Sequence, residues 1–221
     1  MTDDQLAAGR HAEPVAIVGA GGLGQEVLDA VVVAGRPVSG FLDDEAEEAF
    51  GPAQPEAVPA GASVIVALGD PVVRSEILQR FAGFDRWATV VHPSAVVSSR
   101  SRLAHGVFVG ALAYVGPLAR VGTHVVVNVH AEVGHHVTVG PLATLSPMVA
   151  LNGGVTIGDG VFLGTGASVE PGVTIGAWSR VAAGAHITRD CAACHLLAGN
   201  PAKGRRMFEP PEPSSSAPVD W

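Results

Sequence analysis

Every sixth residue from Val91 to Ile187 is Val, Leu or Ile, a run of seventeen positions without exception or insertion. Neither the helical period of 3.6 nor the strand period of 2 produces such a series. A strict six-residue period is the mark of a parallel β-helix. One aliphatic residue per flat face points inward, and three faces complete one coil of a triangular prism. At the ordinary strand spacing, five or so coils predict a rod roughly 25 Å long. Gly often follows the aliphatic residue, as at Gly110, Gly116, Gly122, Gly134, Gly140, Gly158, Gly164 and Gly176. Two places before it stands a small residue or Val, as at Val107, Val125, Ala131 and Val155. These glycines are expected to form the tight corners, where the lack of a Cβ removes the steric cost.

The segment before the prism alternates between strand and helix signals. Val15–Val18 is a short apolar strand followed by Gly19-Ala-Gly21-Gly22-Leu23-Gly24. An amphipathic helix is expected from about Gln25 to Ala34, a second strand over Pro37–Leu42 ending in Asp43-Asp44, and a loop with a helical piece over Glu45–Gly61. A third strand covers Ser63–Leu68, a helix with Pro in its first turn covers Pro71–Phe81, and Trp87–Val90 is a candidate fourth strand. This is βαβ alternation and predicts a small parallel sheet. The expected organisation is a loose leader over 1–14, a Rossmann-like α/β domain over 15–90, an all-β prism over 91–190, a return segment over 191–208 and a Pro- and Ser-rich disordered tail over 209–221.

A formal net charge of −8 argues against a nucleic-acid partner. No apolar run approaches a membrane span, and the acidic first residues do not resemble a signal peptide. With two cysteines, this points to the cytoplasm. Cys191-Ala-Ala-Cys194-His195 matches the haem-attachment pattern C-x-x-C-H. It has no second ligand pair and no redox domain around it, so it reads as the chain leaving the last coil.

Gly19-x-Gly21-x-x-Gly24, between a strand and a helix, can present backbone N–H groups and a helix N-terminus to phosphate. Asp43 lies about twenty residues on, where such folds often meet a ribose hydroxyl. A full dinucleotide fold needs two βαβαβ halves, and only about eighty residues precede the prism. Half a fold suits a mononucleotide, such as the nucleoside diphosphate of an activated sugar. Among nine histidines, His135-His136 stands out. Counted from the inward Val133, the pair falls near a face end and can project outward. A solvent-facing His is a common general base near neutral pH.

The Gly-rich half-Rossmann domain, the junction His92-Pro93-Ser94-Ala95, the six-residue repeat and the ending Gly199-Asn200-Pro201-Ala202-Lys203 together resemble the bacterial sugar acyltransferases. These are the sialic acid O-acetyltransferases and nucleotide-amino-sugar N-acetyltransferases of the NeuD and PglD type. The resemblance spans about Val15 to Arg206. It implies a left-handed β-helix, a homotrimer with acetyl-CoA between subunits, no metal, and a prism histidine as base. The family's base falls on His135 and its Asn on Asn128. Gly19, Gly21, Gly22, Leu23, Gly24, Asp43 and Asp44 are then expected at the nucleotide sugar. Thr144, Gly153, Thr165 and Ala183 are expected along the acetyl-CoA channel, and Lys203 at the CoA phosphates.

Two residues depart from the family pattern. The carboxylate that follows the base in the family is His136 here, so either another carboxylate, with Glu132 the candidate, orients His135 or the base is weaker. Many members carry His where Leu23 stands, which implies an altered acceptor. The implied reaction is direct attack of a sugar amine or hydroxyl on the thioester, with His135 taking the proton. Two other readings stand beside it. One is a zinc-dependent carbonic anhydrase of the γ type, which the His130–His135 spacing suits although Ser94 stands where a third ligand is needed. The other is a non-catalytic nucleotide-sugar-binding protein.

Overall fold

The computed structural model describes residues 13–207. The expected tail and nearly all of the expected leader lie outside the described residues. The N-terminal unit is a four-stranded parallel sheet of β1 (Val15–Val18), β2 (Val38–Leu42), β3 (Ala49–Gly51) and β4 (Ser63–Val66), in the order β3-β2-β1-β4. Every residue of β1 and β4 is buried, as expected of parallel strands covered on both faces. Helix α1 (Gly22–Val33) covers one face through Val27, Ala30 and Val31. It starts three residues earlier than the periodicity implies, because Gly21 serves as N-cap with extended backbone. Helix α2 (Pro71–Arg80) starts on Asp70, whose carboxylate accepts the Val72 N–H at 2.8 Å. The candidate strand Trp87–Val90 reduces to a single bridge between Trp87 and Val64, and Val90–Val91 already belongs to the prism.

The prism is built from two-residue strands in three parallel sheets, each strand pairing with the one eighteen residues on, as in Val121 with Val139. It has about six coils rather than five. The aliphatic series is buried from Val109 to Ile187, while Val91, Val97 and Leu103 form the half-buried open end of the bore.

Positive φ recurs at every sixth residue from Gly106 to Gly184, three places after the aliphatic residue. His124, His130 and His136 occupy such positions at φ of 55°, 56° and 59°. The glycines that directly follow the aliphatic residues have another function. A Cβ on Gly164 would lie 2.6 Å from the Ala183 nitrogen, and one on Gly134 would lie 2.7 Å from the Leu151 oxygen. They are required by the close approach of the next coil, not by the corner angle expected of them.

The three faces differ in what they present outward. On the first, Val90, Phe108 and Val126 pack with α1 into one core that joins the two units. The second presents Val96, Tyr114, Glu132, Ala150, Ser168 and His186, and the third Arg102, Arg120, Thr138, Thr156 and Thr174. After Ile187 the chain does not simply leave. Strand His195–Gly199 adds to the first face beside Arg180–Val181 and turns back as the antiparallel strand Ala202–Arg206.

The seam between the units contains a fully buried cation. Arg74 of α2 donates to the backbone oxygens of Leu68, Leu142 (2.5 Å) and Ala143 (3.2 Å) and to Thr144 Oγ1 (2.9 Å). Thr144 Oγ1 in turn donates to the Gly69 oxygen at 2.8 Å. Burial pushes the Arg74 guanidinium down to about 10, so it remains charged at neutral pH. Asp70 joins Arg180 across the same seam at 2.6 Å, and Arg180 lies over the Phe162 ring. The Arg180 guanidinium and two backbone amides hold the Asp70 carboxyl below its ordinary range against the opposing effect of burial.

Candidate active site

His135 and His136 sit on the corner between strands Glu132–Val133 and Thr138–Val139, where the second face meets the third. Both are exposed. The His136 N–H donates to the Pro117 oxygen of the preceding coil, and the His135 oxygen accepts from Gly154 of the following one. The corner is thus fixed from both sides by backbone. The His135 imidazole lies over Gly153, where a Cβ would fall 2.3 Å from Cε1 and 2.5 Å from Nε2. Its Nδ1 stands 3.0 Å from Nδ1 of His136, with the rings edge to face at 88°.

Glu132 is exposed on the adjoining strand; its backbone N–H donates to the Val149 oxygen, while its carboxylate bonds to neither His135 nor His136. The polar partner of His135 in this state is His136. Asn128 lies on a different corner, after strand Val126–Val127, where the first face meets the second. Its side-chain oxygen accepts from Val129 N at 2.6 Å. Asn128 and His135 therefore stand at opposite edges of the second face.

The expected channel residues divide in the same way. Gly153 follows His135 on one edge. Thr165 and Ala183, exposed and stacked eighteen residues apart, lie on the edge of Asn128. Thr144 does not belong to a surface channel. It is buried in the seam, with its hydroxyl taken by Arg74 and Gly69, because it occupies an outward position on the face that the N-terminal unit covers. Lys203 is exposed beside a cleft of about 440 Å³ at the C-terminal end of the prism, with Arg189, Asp190, Cys191 and His195. Burial pushes the Cys191 thiol up, away from thiolate chemistry. Among the described residues, no three His, Cys, Asp or Glu side chains are grouped as a metal ion would require. His130 and His135 lie on different corners.

A second concave region lies at the C-terminal end of the N-terminal sheet. From β1 the chain runs out through β2 and β3 and returns on the other side at β4, so the loops after β1 and β4 diverge at a topological switch point. Gly19 has φ +100°, and a Cβ on it would meet Leu68 at 2.8 Å. A Cβ on Gly24 would lie 2.0 Å from the Gly19 oxygen. Gly21 and Gly22 have open space around them, and with Leu23 they start α1, whose first amides have no intrahelical acceptor. Asp43 accepts from Ala20 N (2.9 Å), Glu45 N (2.9 Å) and Ala46 N (3.2 Å), which holds its carboxyl below the ordinary range. It ties the glycine loop to the end of β2. Asp44 is paired with Arg80 at 2.6 Å and faces α2. Arg74 and Thr144, which fix the loop after β4 to the prism, were not legible as site-shaping residues. The only local signal is the Asp70-Pro71 helix start four residues before Arg74.

The sequence matches the family profile of the PglD N-terminal domain over residues 14–81 and that of the bacterial transferase hexapeptide over residues 154–189. No curated protein matches the chain. Among solved structures, PerB from Caulobacter crescentus in complex with CoA and GDP-perosamine is 36% identical, with a TM-score of 0.80 over 87% of this chain and 97% of that one. A variant of the same organism's perosamine N-acetyltransferase, with one histidine replaced by asparagine, holds the same two ligands and is 35% identical (TM-score 0.81, 87% and 96% covered). The acetyltransferase domain of PglB from Neisseria gonorrhoeae FA1090, in complex with acetyl coenzyme A, is 29% identical with a TM-score of 0.82 over 87% of this chain and 98% of that one. The chain belongs to the left-handed β-helix sugar acyltransferases of the PglD and NeuD type. Solved relatives of this family bind CoA or acetyl-CoA as co-substrate.

Proposed function

We propose that the chain transfers an acetyl group from acetyl-CoA to the amine of a nucleotide-linked amino sugar, with His135 as general base. The observation that carries this reading is the exposed His135 imidazole, held over Gly153 at a prism edge and open to solvent on its outer side. The perosamine N-acetyltransferase, which carries CoA and GDP-perosamine, supports an amine acceptor on a nucleotide sugar. The nucleoside diphosphate would sit at the switch point, against the free amides of Gly22 and Leu23 at the start of α1. In the direct mechanism His135 Nε2 takes a proton from the amine as nitrogen attacks the thioester carbonyl. The C–S bond breaks, and the protonated imidazole returns its proton to the departing thiolate. Both substrates meet in one groove, so no acyl-enzyme is required.

A single protomer keeps Asn128, Thr165 and Ala183 on one edge and His135 and Gly153 on another. A trimer that sets these two edges of neighbouring copies together would complete the groove. The exposed apolar side chains Val96, Leu112, Tyr114, Leu118 and Met148, on and beside the second face, support that assembly.

The test is a panel of nucleotide-linked amino sugars with acetyl-CoA, read by free-thiol release. One member of the panel should support turnover, and His135→Ala should lower it by about two to four orders of magnitude while CoA binding persists. Sugar binding with no thiol release from any acceptor would mean a non-catalytic binding protein. Release unaffected by His135→Ala would remove the histidine from the mechanism.

A further inference from the structure

We infer that His136 is a positioning residue that shares a proton with His135 through their Nδ1 atoms. The inference rests on the acyl-transfer reading above and deepens it. Two imidazole nitrogens 3.0 Å apart form a hydrogen bond only if one carries a hydrogen and the other a lone pair. The neutral pair must therefore combine two different tautomers. A base acting through His135 Nε2 requires that atom to be bare, so His135 carries its hydrogen on Nδ1 and donates to Nδ1 of His136, which is protonated on Nε2. When His135 Nε2 takes the acceptor's proton, the imidazolium N–H···N bond strengthens and the positive charge spreads over both rings. The proton leaves again from His135 Nε2 to the thiolate, so His136 neither gains nor loses one overall. A neutral imidazole thus fixes the tautomer, which is work a carboxylate more often does.

The surroundings leave the two rings to each other. The preceding coil offers Pro117 and Leu118 and the following coil Gly153 and Gly154, none of which ionises. On the strands flanking the corner in these coils, the ionisable side chains are Tyr114, Arg120 and Glu132, and none bonds to the pair. His136 holds a positive-φ corner that glycine fills at Gly154, Gly160, Gly166, Gly172 and Gly184. The variant His136→Gly therefore removes the ring while keeping a backbone this fold already uses. Asp also tolerates that conformation, so His136→Asp can put a carboxylate in its place.

The experiment combines histidine-ring 15N NMR of the substrate-free protein across pH with pH–rate profiles of the wild type and both variants. In the wild type, His135 is expected as the Nδ1–H tautomer and His136 as Nε2–H, and one protonation step should move the signals of both rings together. In His136→Gly, His135 should titrate alone, with kcat down about tenfold and little change in KM. In His136→Asp, turnover should recover, and the acid limb of the profile should move up by about one pH unit because the carboxylate favours the protonated base. The inference is overturned if His135 carries its hydrogen on Nε2, if the rings titrate independently, or if His136→Gly matches the wild type in rate and profile. If no acceptor supports thiol release, the acyl-transfer reading fails, and the NMR titration still decides whether the pair shares a proton.

Discussion

The His135 imidazole occupies the notch that Gly153 leaves on the following coil, with a would-be Cβ only 2.3 Å from its Cε1 atom. The conflict in Gly153→Ala is with a side chain that can rotate, so the fold should survive and the base should move. A displacement of about 1 Å from a reacting geometry costs on the order of a hundredfold in rate. Gly153→Ala is therefore expected to lower kcat about a hundredfold with little change in Tm.

Gly164→Ala supplies the contrast. Its Cβ would meet the Ala183 nitrogen at 2.6 Å and the Val181 oxygen at 2.9 Å, both backbone of the next coil. Backbone cannot swing aside, and overpacking of this kind costs about 1–3 kcal/mol or more. Urea denaturation should show a lower midpoint for Gly164→Ala than for Gly153→Ala. Equal stabilities would mean that the coils can separate more easily than their hydrogen-bonded register implies.

Arg74 forms hydrogen bonds with three carbonyls and a hydroxyl inside the seam. Arg74→Met would fill similar volume but leave those acceptors dry, at roughly 1–3 kcal/mol for each one not rescued by water. A loss of about 3 kcal/mol in denaturant unfolding is expected. Because the same arginine fixes the loop after β4, affinity for a nucleoside diphosphate should fall as well, which calorimetry can measure. A stable variant with unchanged affinity would show that the seam repacks without the cation.

His124 is buried beside Trp87, with ring centroids 4.6 Å apart, and its Nδ1 has no hydrogen-bond partner. Burial first, then the charges of His105 and Arg74, push it down to about 3 from an ordinary 6.5. The folded chain then stays unprotonated where the unfolded chain binds a proton. Stability is fully present above pH 6.5 and is lost as pH falls towards 3, with a slope up to about 1.4 kcal/mol per pH unit. Asp43, Asp44 and Asp70 are held below 3.8, so their contributions disappear only in stronger acid. Between pH 6.5 and 4.5 the slope should be flatter in His124→Asn, which keeps the positive-φ corner. Some slope remains, because burial also lowers His105. An unchanged slope would mean that His124 is solvated in solution.

The prism was legible because its inward residue repeats at a fixed interval, and every coil from Val109 onward buries that residue. The two kinds of corner position were not, since sequence shows a glycine without showing whether φ or close approach requires it. Gly154 has φ +71°, whereas a Cβ on Gly134 would strike backbone of the next coil. The placement of His135 on an outer corner followed from counting from Val133. The resemblance places Thr144 on the acetyl-CoA channel, but the docking of the N-terminal unit on that face buries it, which no pattern around Thr144 in the sequence marks. Arg74 makes the same point. Its partners on the prism, Leu142, Ala143 and Thr144, lie 68 to 70 residues away, and no local pattern marks such a contact.

The second face gives the last prediction. It carries Val96 and Tyr114 at 62% and 39% exposure, and the adjoining corners carry Leu112, Leu118 and Met148. The first face is covered by the N-terminal unit, and the third presents Arg and Thr, so the second is the face a further copy can dry. Tyr114 precedes the inward Val115 and pairs across coils with Val96 and Glu132, so its ring points out without supporting the bore. Tyr114→Glu would place a charge amid apolar contacts and should leave the coil intact. Sedimentation is expected to show about three chain masses for the wild type and one for Tyr114→Glu, with unchanged circular dichroism. Turnover should fall with assembly, since Asn128 and His135 stand on opposite edges of one protomer. A Tyr114→Glu chain that remains trimeric would place the interface elsewhere, and a monomeric variant with full activity would confine the site to one subunit.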